Sequence, residues 1–368
     1  MKPPLKSPAP RKNIHRPRQV VPPVEEQTKV LDPNWNQEIT DDLEPQDLSQ
    51  LIVFSRDWTI ETIDNQIEQG NIQMNPGFQR RNAWDDTRRS RLVESLIAKL
   101  PVPEIVLAED PRKPRSFIII DGKQRLLTIN GFIHPQSKYW DNPHLQPLKL
   151  LPKLSGKSYE DLKGANFSDE YRCFINADIR CTIIGGIKNT DVLYDVFHRL
   201  NSGSVPLSTQ ELRQVLHKGD FADFLIKETN EVGNLHRVLS LDAPDTRLRD
   251  AEILLRFIAL LLFAKVYRGN LKKFLDDAMG SATAKWDIYH LKVVESAKEL
   301  NNAISSLENV FSIDQIGRKF NAKANRFERR FNRVLFEVEA FYFRLIPLNK
   351  LKAGKARFLK GFHLRVMR

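Results

Sequence analysis

Within seventeen residues, Ser116–Phe132 (SFIIIDGKQRLLTINGF) changes its periodicity, and that change restricts the fold more than any other part of the chain. Phe117 to Ile120 is a short apolar run dominated by β-branched isoleucines, which reads as a buried strand. Asp121-Gly122 is a turn signal, because glycine takes backbone angles that other residues resist. From Lys123 onward Leu126, Leu127, Asn130 and Gly131 fall at helical intervals. A strand that hands over to a helix in this way aims free backbone N–H groups and the positive end of a helix dipole at one spot, where anions bind. Lys123 and Arg125 add two cations there, Gln124 can both donate and accept, and Asp121 can orient Arg125 or hold a metal ion near a phosphate. Spacing alone equally allows Asp121 to be an N-cap beside solvated cations.

The surrounding sequence extends an α/β pattern. Trp58 to Glu68 predicts a helix, Asn75-Pro76-Gly77 a turn, and Asp85-Asp86-Thr87 the cap of a helix over 88–100. Glu104–Ala108 and Cys173–Ile184 read as strands, with Pro135–Gly164 a polar, proline-interrupted insertion between them. Asp191–Leu200 is a helix ending at Asn201-Ser202-Gly203, and Ser208 with Glu211 forms a capping box for the next. Asn201 and Ser202 are either polar ligands of the Asp121 site or a structural turn; Arg199 and Arg213 flank this segment and could serve as secondary anion contacts. From 218 onward the chain reads as helical, with Asp250–Tyr267 central and Ser281–Leu307 more amphipathic. Over 321–346 Phe327, Phe331, Leu335, Val338 and Tyr342 repeat at helical steps, opposite Arg326, Arg329, Arg330 and Arg333. Such a basic helix either lies along a phosphate backbone or presents a solvated face. The expected organisation is a disordered basic arm and acidic linker over 1–50, an α/β domain over 51–216 and a helical domain over 217–368 with a basic C-terminal helix.

Charge points to a polyanion. The 368 residues carry a net +11, yet the first thirty hold seven Lys/Arg against two acids and residues 318–368 hold fifteen against three. The body between is slightly acidic, so basic ends would grip DNA. Two cysteines, Cys173 and Cys181, exclude a disulfide scaffold and a zinc ribbon and suit a reducing cytoplasm. No apolar leader is seen at the N-terminus, and the longest apolar run, Ile253–Phe263, is broken by Arg256 and too short for a bilayer. Gly156-Lys157-Ser158 is not a P-loop, since position 151 is Leu where a Gly is required. No histidine pair has ligand spacing, so no metal-binding residues are assigned.

Phe78-Gln79-Arg80 with Trp84, then Leu100-Pro-Val-Pro-Glu-Ile105, Ile120-Asp-Gly-Lys-Gln-Arg-Leu126 and Val196-Phe-His-Arg-Leu-Asn-Ser-Gly-Ser-Val-Pro-Leu-Ser-Thr-Gln-Glu-Leu-Arg213 occur in that order. Together they resemble the N-terminal domain of GmrSD-type modification-dependent restriction enzymes, within the ParB/sulfiredoxin superfamily. The resemblance covers about residues 58–215. It implies a small mixed α/β sheet that binds and often hydrolyses a nucleoside triphosphate at an Asp-Gly-Gln-Gln-Arg motif. Carried onto this chain, Asp121, Gln124 and Arg125 take the catalytic roles and Gln79, Arg80 and Gly122 contact the nucleotide, with Lys123 and Asn201 as further candidate contacts. Lys123 replaces the family's first Gln, adding a cation. The resemblance admits Mg2+ with the nucleotide, a separate nuclease subunit and self-association. Larger members carry an HNH nuclease motif, which this sequence lacks. The implied role is nucleotide-dependent DNA recognition in restriction or anti-phage defence. The alternatives are a non-hydrolysing DNA-binding regulator and a nuclease cutting at the same motif.

Overall fold

The computed structural model describes residues 48–74, 84–137, 139–200, 208–321, 323–346 and 350–351. The chain begins with β1 (Ile52–Thr59), α1 (Ile60–Glu68), α2 (Asp86–Ile97), β2 (Ile105–Glu109), β3 (Phe117–Asp121) and α3 (Lys123–Ile133). It continues through α4 (Tyr159–Leu162), α5 (Ser168–Ile175), β4 (Asp178–Gly185), α6 (Thr190–Leu200) and α7 (Thr209–Leu216). The four strands form one mixed sheet in the order β1-β4-β2-β3. Only β2 and β4 run parallel; the outer pairs are antiparallel.

Alternation decides which side chains meet which helices. Ile105, Leu107, Ile119, Cys181 and Ile183 point to the face covered by α1, α2, α3 and α5. Val106, Ala108, Ile118, Ile120 and Ile184 point the other way, onto α6 and α7. A sheet buried on both faces explains why its central strands read as continuous apolar runs. Trp58 lies in β1, so the first helix starts later than its pattern suggests, at Ile60, with the Thr59 hydroxyl accepting from Thr62 N–H. Cys173 belongs to α5 rather than to a strand, and β4 starts only at Asp178.

The stretch 135–164 is not a surface insertion. Trp140, Leu145, Leu148, Leu154, Tyr159 and Leu162 are buried in the first core. Glu94 accepts the Leu150 and Leu151 N–H groups at 2.7 and 2.9 Å, and Ser90 accepts from Gln146. Its polar sequence is deceptive because two polar side chains of α2 hydrogen-bond its backbone. Gly131 permits the close approach: a Cβ there would sit 2.9 Å from Trp140.

Among the described residues there follow α8 (Asp220–Glu228), α9 (Asn234–Val238), α10 (Arg249–Phe263), α11 (Leu271–Ala284), α12 (Trp286–Glu308) and α13 (Arg333–Phe343). They enclose their own apolar core around α10, buried over Arg249–Ala259. Between α12 and α13 the expected basic helix is replaced by a hairpin, β5 (Arg318–Asn321) paired with β6 (Arg326–Phe331). Arg326, Arg329 and Arg330 are therefore exposed strand residues. Arg333 is not on a free basic face: it is buried on α13 and donates to Glu252 at 3.3 Å.

Glu339 of α13 accepts the Gly317 N–H at 2.8 Å, and burial pushes its carboxyl up to about 7 from the usual 4.5. An acid raised in the folded state stabilises fully below 4.5 and loses that contribution as pH climbs to 7. Relative to Glu339→Gln, the wild type should thus lose about 3 kcal/mol between pH 4.5 and 7 in denaturant titrations. A flat difference would contradict it.

Candidate functional site

The strand–turn–helix stands as the sequence implies. β3 ends at Asp121 and α3 begins at Lys123, joined by Gly122 at φ +93°. A Cβ on Gly122 would lie 3.0 Å from Ile105 Cγ1 and 3.2 Å from Arg125 Nη2, so both the left-handed turn and the close approach require glycine. The β2–β3 register slips between Val106 and Leu107, pairing Val106 with Asp121 and Leu107 with Ile119. Such a bulge beside a turn re-aims the residue that follows it, here Asp121.

Asp121 does not cap the helix. Gly122 occupies the N-cap position and, having no side chain, supplies no cap bond to the first turn. Instead Asp121, with half its side chain exposed, takes Arg125 Nη2 at 3.2 Å. The same nitrogen donates to the Glu104 carbonyl at 2.7 Å, fastening α3 to the start of β2. Arg125 is thus oriented rather than solvated, and its Nε and the buried Oε1 of Gln124 have no hydrogen-bond partner. The first turn of α3 therefore combines an N-cap without a side chain, a guanidinium oriented by Asp121 and Glu104, and the Gln124 amide.

Lys123 behaves differently from expectation. It is buried, and its Nζ lies 2.6 Å from Glu211 Oε1. Glu211 divides its carboxylate: Oε2 accepts the Ser208 N–H in the capping box of α7, and Oε1 takes the lysine. The extra cation is therefore spent on tying the motif to α7. Arg213, read as a secondary anion contact, is fully buried and donates through Nε to Asp276 Oδ1 at 2.7 Å. Burial opposes ionisation of Asp276, but Arg213, Lys272 and His217 outweigh it and hold the carboxyl below 3.8. Gln79, Arg80, Asn201 and Ser202 lie outside the described residues, as does the Arg199 side chain. Glu211 and Asp276 are the residues sequence reasoning missed as partners. The capping box revealed only one of the two Glu211 oxygens in use.

β3, Gly122 and α3 thus form a strand–turn–helix unit at the edge of a small mixed sheet. Residues 60–218 match the family described as GmrSD restriction endonuclease, N-terminal domain. No curated protein and no solved structure matches the chain. Among the described residues no helix is long and apolar enough to cross a membrane.

Proposed function

We propose that residues 51–216 form a ParB/sulfiredoxin-like domain that binds a nucleoside triphosphate at Asp121–Arg125 and that, with a helical domain over 217–368, the chain recognises DNA in restriction or anti-phage defence. The observation that carries this reading is the start of α3 at Gly122, which supplies no side-chain cap, beside Arg125, oriented by Asp121 and with its Nε unpartnered among the described residues. The match over residues 60–218 supports it. Phosphate oxygens would accept from the first-turn N–H groups and Arg125, and Gln124 would hold a ribose or phosphate oxygen through its amide. A Mg2+ ion accompanying the phosphates would take the half-exposed Asp121 and neutralise charge there.

One observation favours the non-hydrolysing reading: the Lys123 ammonium is buried and paired with Glu211. Incubating the full chain with each labelled nucleoside triphosphate, with and without DNA, separates the two. Turnover stimulated by DNA supports hydrolysis, and tight binding without turnover supports a regulator. DNA cleavage lost on Asp121→Asn would place a cutting centre at the motif, and no binding of any triphosphate would overturn the proposal.

DNA contact falls to the β5–β6 hairpin, where Arg326, Arg329 and Arg330 are exposed. Replacing all three by Glu should weaken binding to every DNA sequence alike, since phosphate contacts carry no base information. The slope of log affinity against log salt should shrink by about 2 to 3. Fluorescence anisotropy over a salt series checks this, and an unchanged slope would contradict it.

A further inference from the structure

At the far end of α3, about 16 Å from the motif by helix rise, a second set of polar side chains converges. Asp64 and Glu68 sit one turn apart on α1; Asn130 and His134 sit one turn apart at the end of α3. His134 Nε2 is 2.9 Å from Asp64 Oδ2 and 3.8 Å from Glu68 Oε1. The buried Asn130 amide donates to Asp64 Oδ1 at 3.2 Å and Glu68 Oε1 at 3.0 Å. One ligand atom from each of Asp64, Glu68 and His134 lies within 4.8 Å of the others. Glu68, Asn130 and His134 also line a cavity of about 650 Å3, so the cluster opens onto space large enough for a small ligand.

Asp64 Oδ2 and Glu68 Oε1 both face His134 Nε2, so two carboxylates share one imidazole and their like charges repel at this range. A divalent cation would remove that repulsion. Two carboxylate oxygens and an imidazole nitrogen make a mixed O/N donor set, which suits Mn2+ or Zn2+ better than Mg2+ or Ca2+. A half-turn of the Asn130 amide would present its oxygen in place of its nitrogen. Three protein ligands leave positions facing the cavity, as in zinc sites that do chemistry rather than hold a fold.

We propose that Asp64, Glu68 and His134, supported by Asn130, form a site for a divalent transition cation, distinct from the Asp121 motif and open to the adjoining cavity. The signal lay in the i, i+4 spacing of both pairs, more than sixty residues apart in sequence.

Mn2+ titration of the full chain without nucleotide, followed by the loss of the free-ion paramagnetic resonance signal, tests it. The wild type should bind one Mn2+ per chain. Asp64→Asn, Glu68→Gln and His134→Gln should each weaken binding at least about tenfold, the scale on which even supporting residues of metal sites matter. Gln124→Ala should leave it unchanged. Glu68 has half its side chain exposed, so Glu68→Gln tests the site without threatening the fold. Mn2+ should also raise the thermal midpoint of the wild type and not of Glu68→Gln. No bound Mn2+ in the wild type, or equal binding and equal midpoint shifts in Glu68→Gln, would overturn the site and leave an ordinary His134–Asp64 ion pair.

Discussion

Replacing Asp276 by alanine should cost the chain about 4 kcal/mol, because it strips a common acceptor from two buried cations. Arg213, with no exposed side-chain surface, donates to Oδ1, Lys272 lies 3.2 Å from Oδ2, and the Tyr194 hydroxyl donates to Oδ1 at 3.1 Å. Lys272 also pairs with Asp191. Arg213 and Tyr194 come from α7 and α6, against the sheet, while Asp276 comes from α11 of the helical part. The same carboxylate therefore joins the two cores, and without it two charges stay buried with weakened compensation. Denaturant titration checks the loss; a cost under about 1 kcal/mol, the scale of an exposed ion pair, would contradict it. The pH dependence has a fixed sign. Because the folded value is depressed, the contribution is complete above 3.8 and is lost as pH falls through the lower folded value. The gap between wild type and Asp276→Asn should accordingly narrow in strong acid.

Lys123→Met should cost about 3 kcal/mol, for a related reason. The lysine and Glu211 are both buried, and removing the ammonium leaves one carboxylate oxygen without its closest cation. The double variant Lys123→Met with Glu211→Gln should recover most of the loss, since the Ser208 N–H can still be accepted by the amide oxygen. A double variant as unstable as the single one would show that lysine packing, not the charge pair, matters. The lysine is accordingly read as an anchor between the motif and α7.

What could be read in advance was local. The isoleucine run, the Asp121-Gly122 turn and the helical spacing after it lie within seventeen residues, and each signal agrees with its neighbours. The Ser208–Glu211 capping box is likewise complete within four residues. The Lys123 partner lies 88 residues away, which no local pattern can reveal. The 321–346 stretch misled because Phe327 and Phe331 satisfy a helical step of four as well as the strand period of two. The turn at Asn325 (φ 48°) and Phe331 packed against Phe336 settle it as a hairpin entering α13. Arg333 is buried against Glu252, whereas Arg326, Arg329 and Arg330 stay exposed. The 135–164 stretch misled through its prolines and polar residues, whose backbone is held by Ser90 and Glu94 from α2.

The central claim is that the start of α3 binds the phosphates of a nucleotide, and Gln124 gives the cleanest test of it. Arg125 also fastens Glu104, so its removal disturbs structure and binding together. The Gln124 amide oxygen is buried without a partner, so Gln124→Ala should leave the unfolding midpoint unchanged. In calorimetric titrations of the full chain with nucleoside triphosphates, the account predicts saturable binding by the wild type. It also predicts a loss of about tenfold or more in Gln124→Ala, the scale of one hydrogen bond to a charged group. Equal affinity in a folded Gln124→Ala variant would contradict it, as would a wild type that binds no triphosphate.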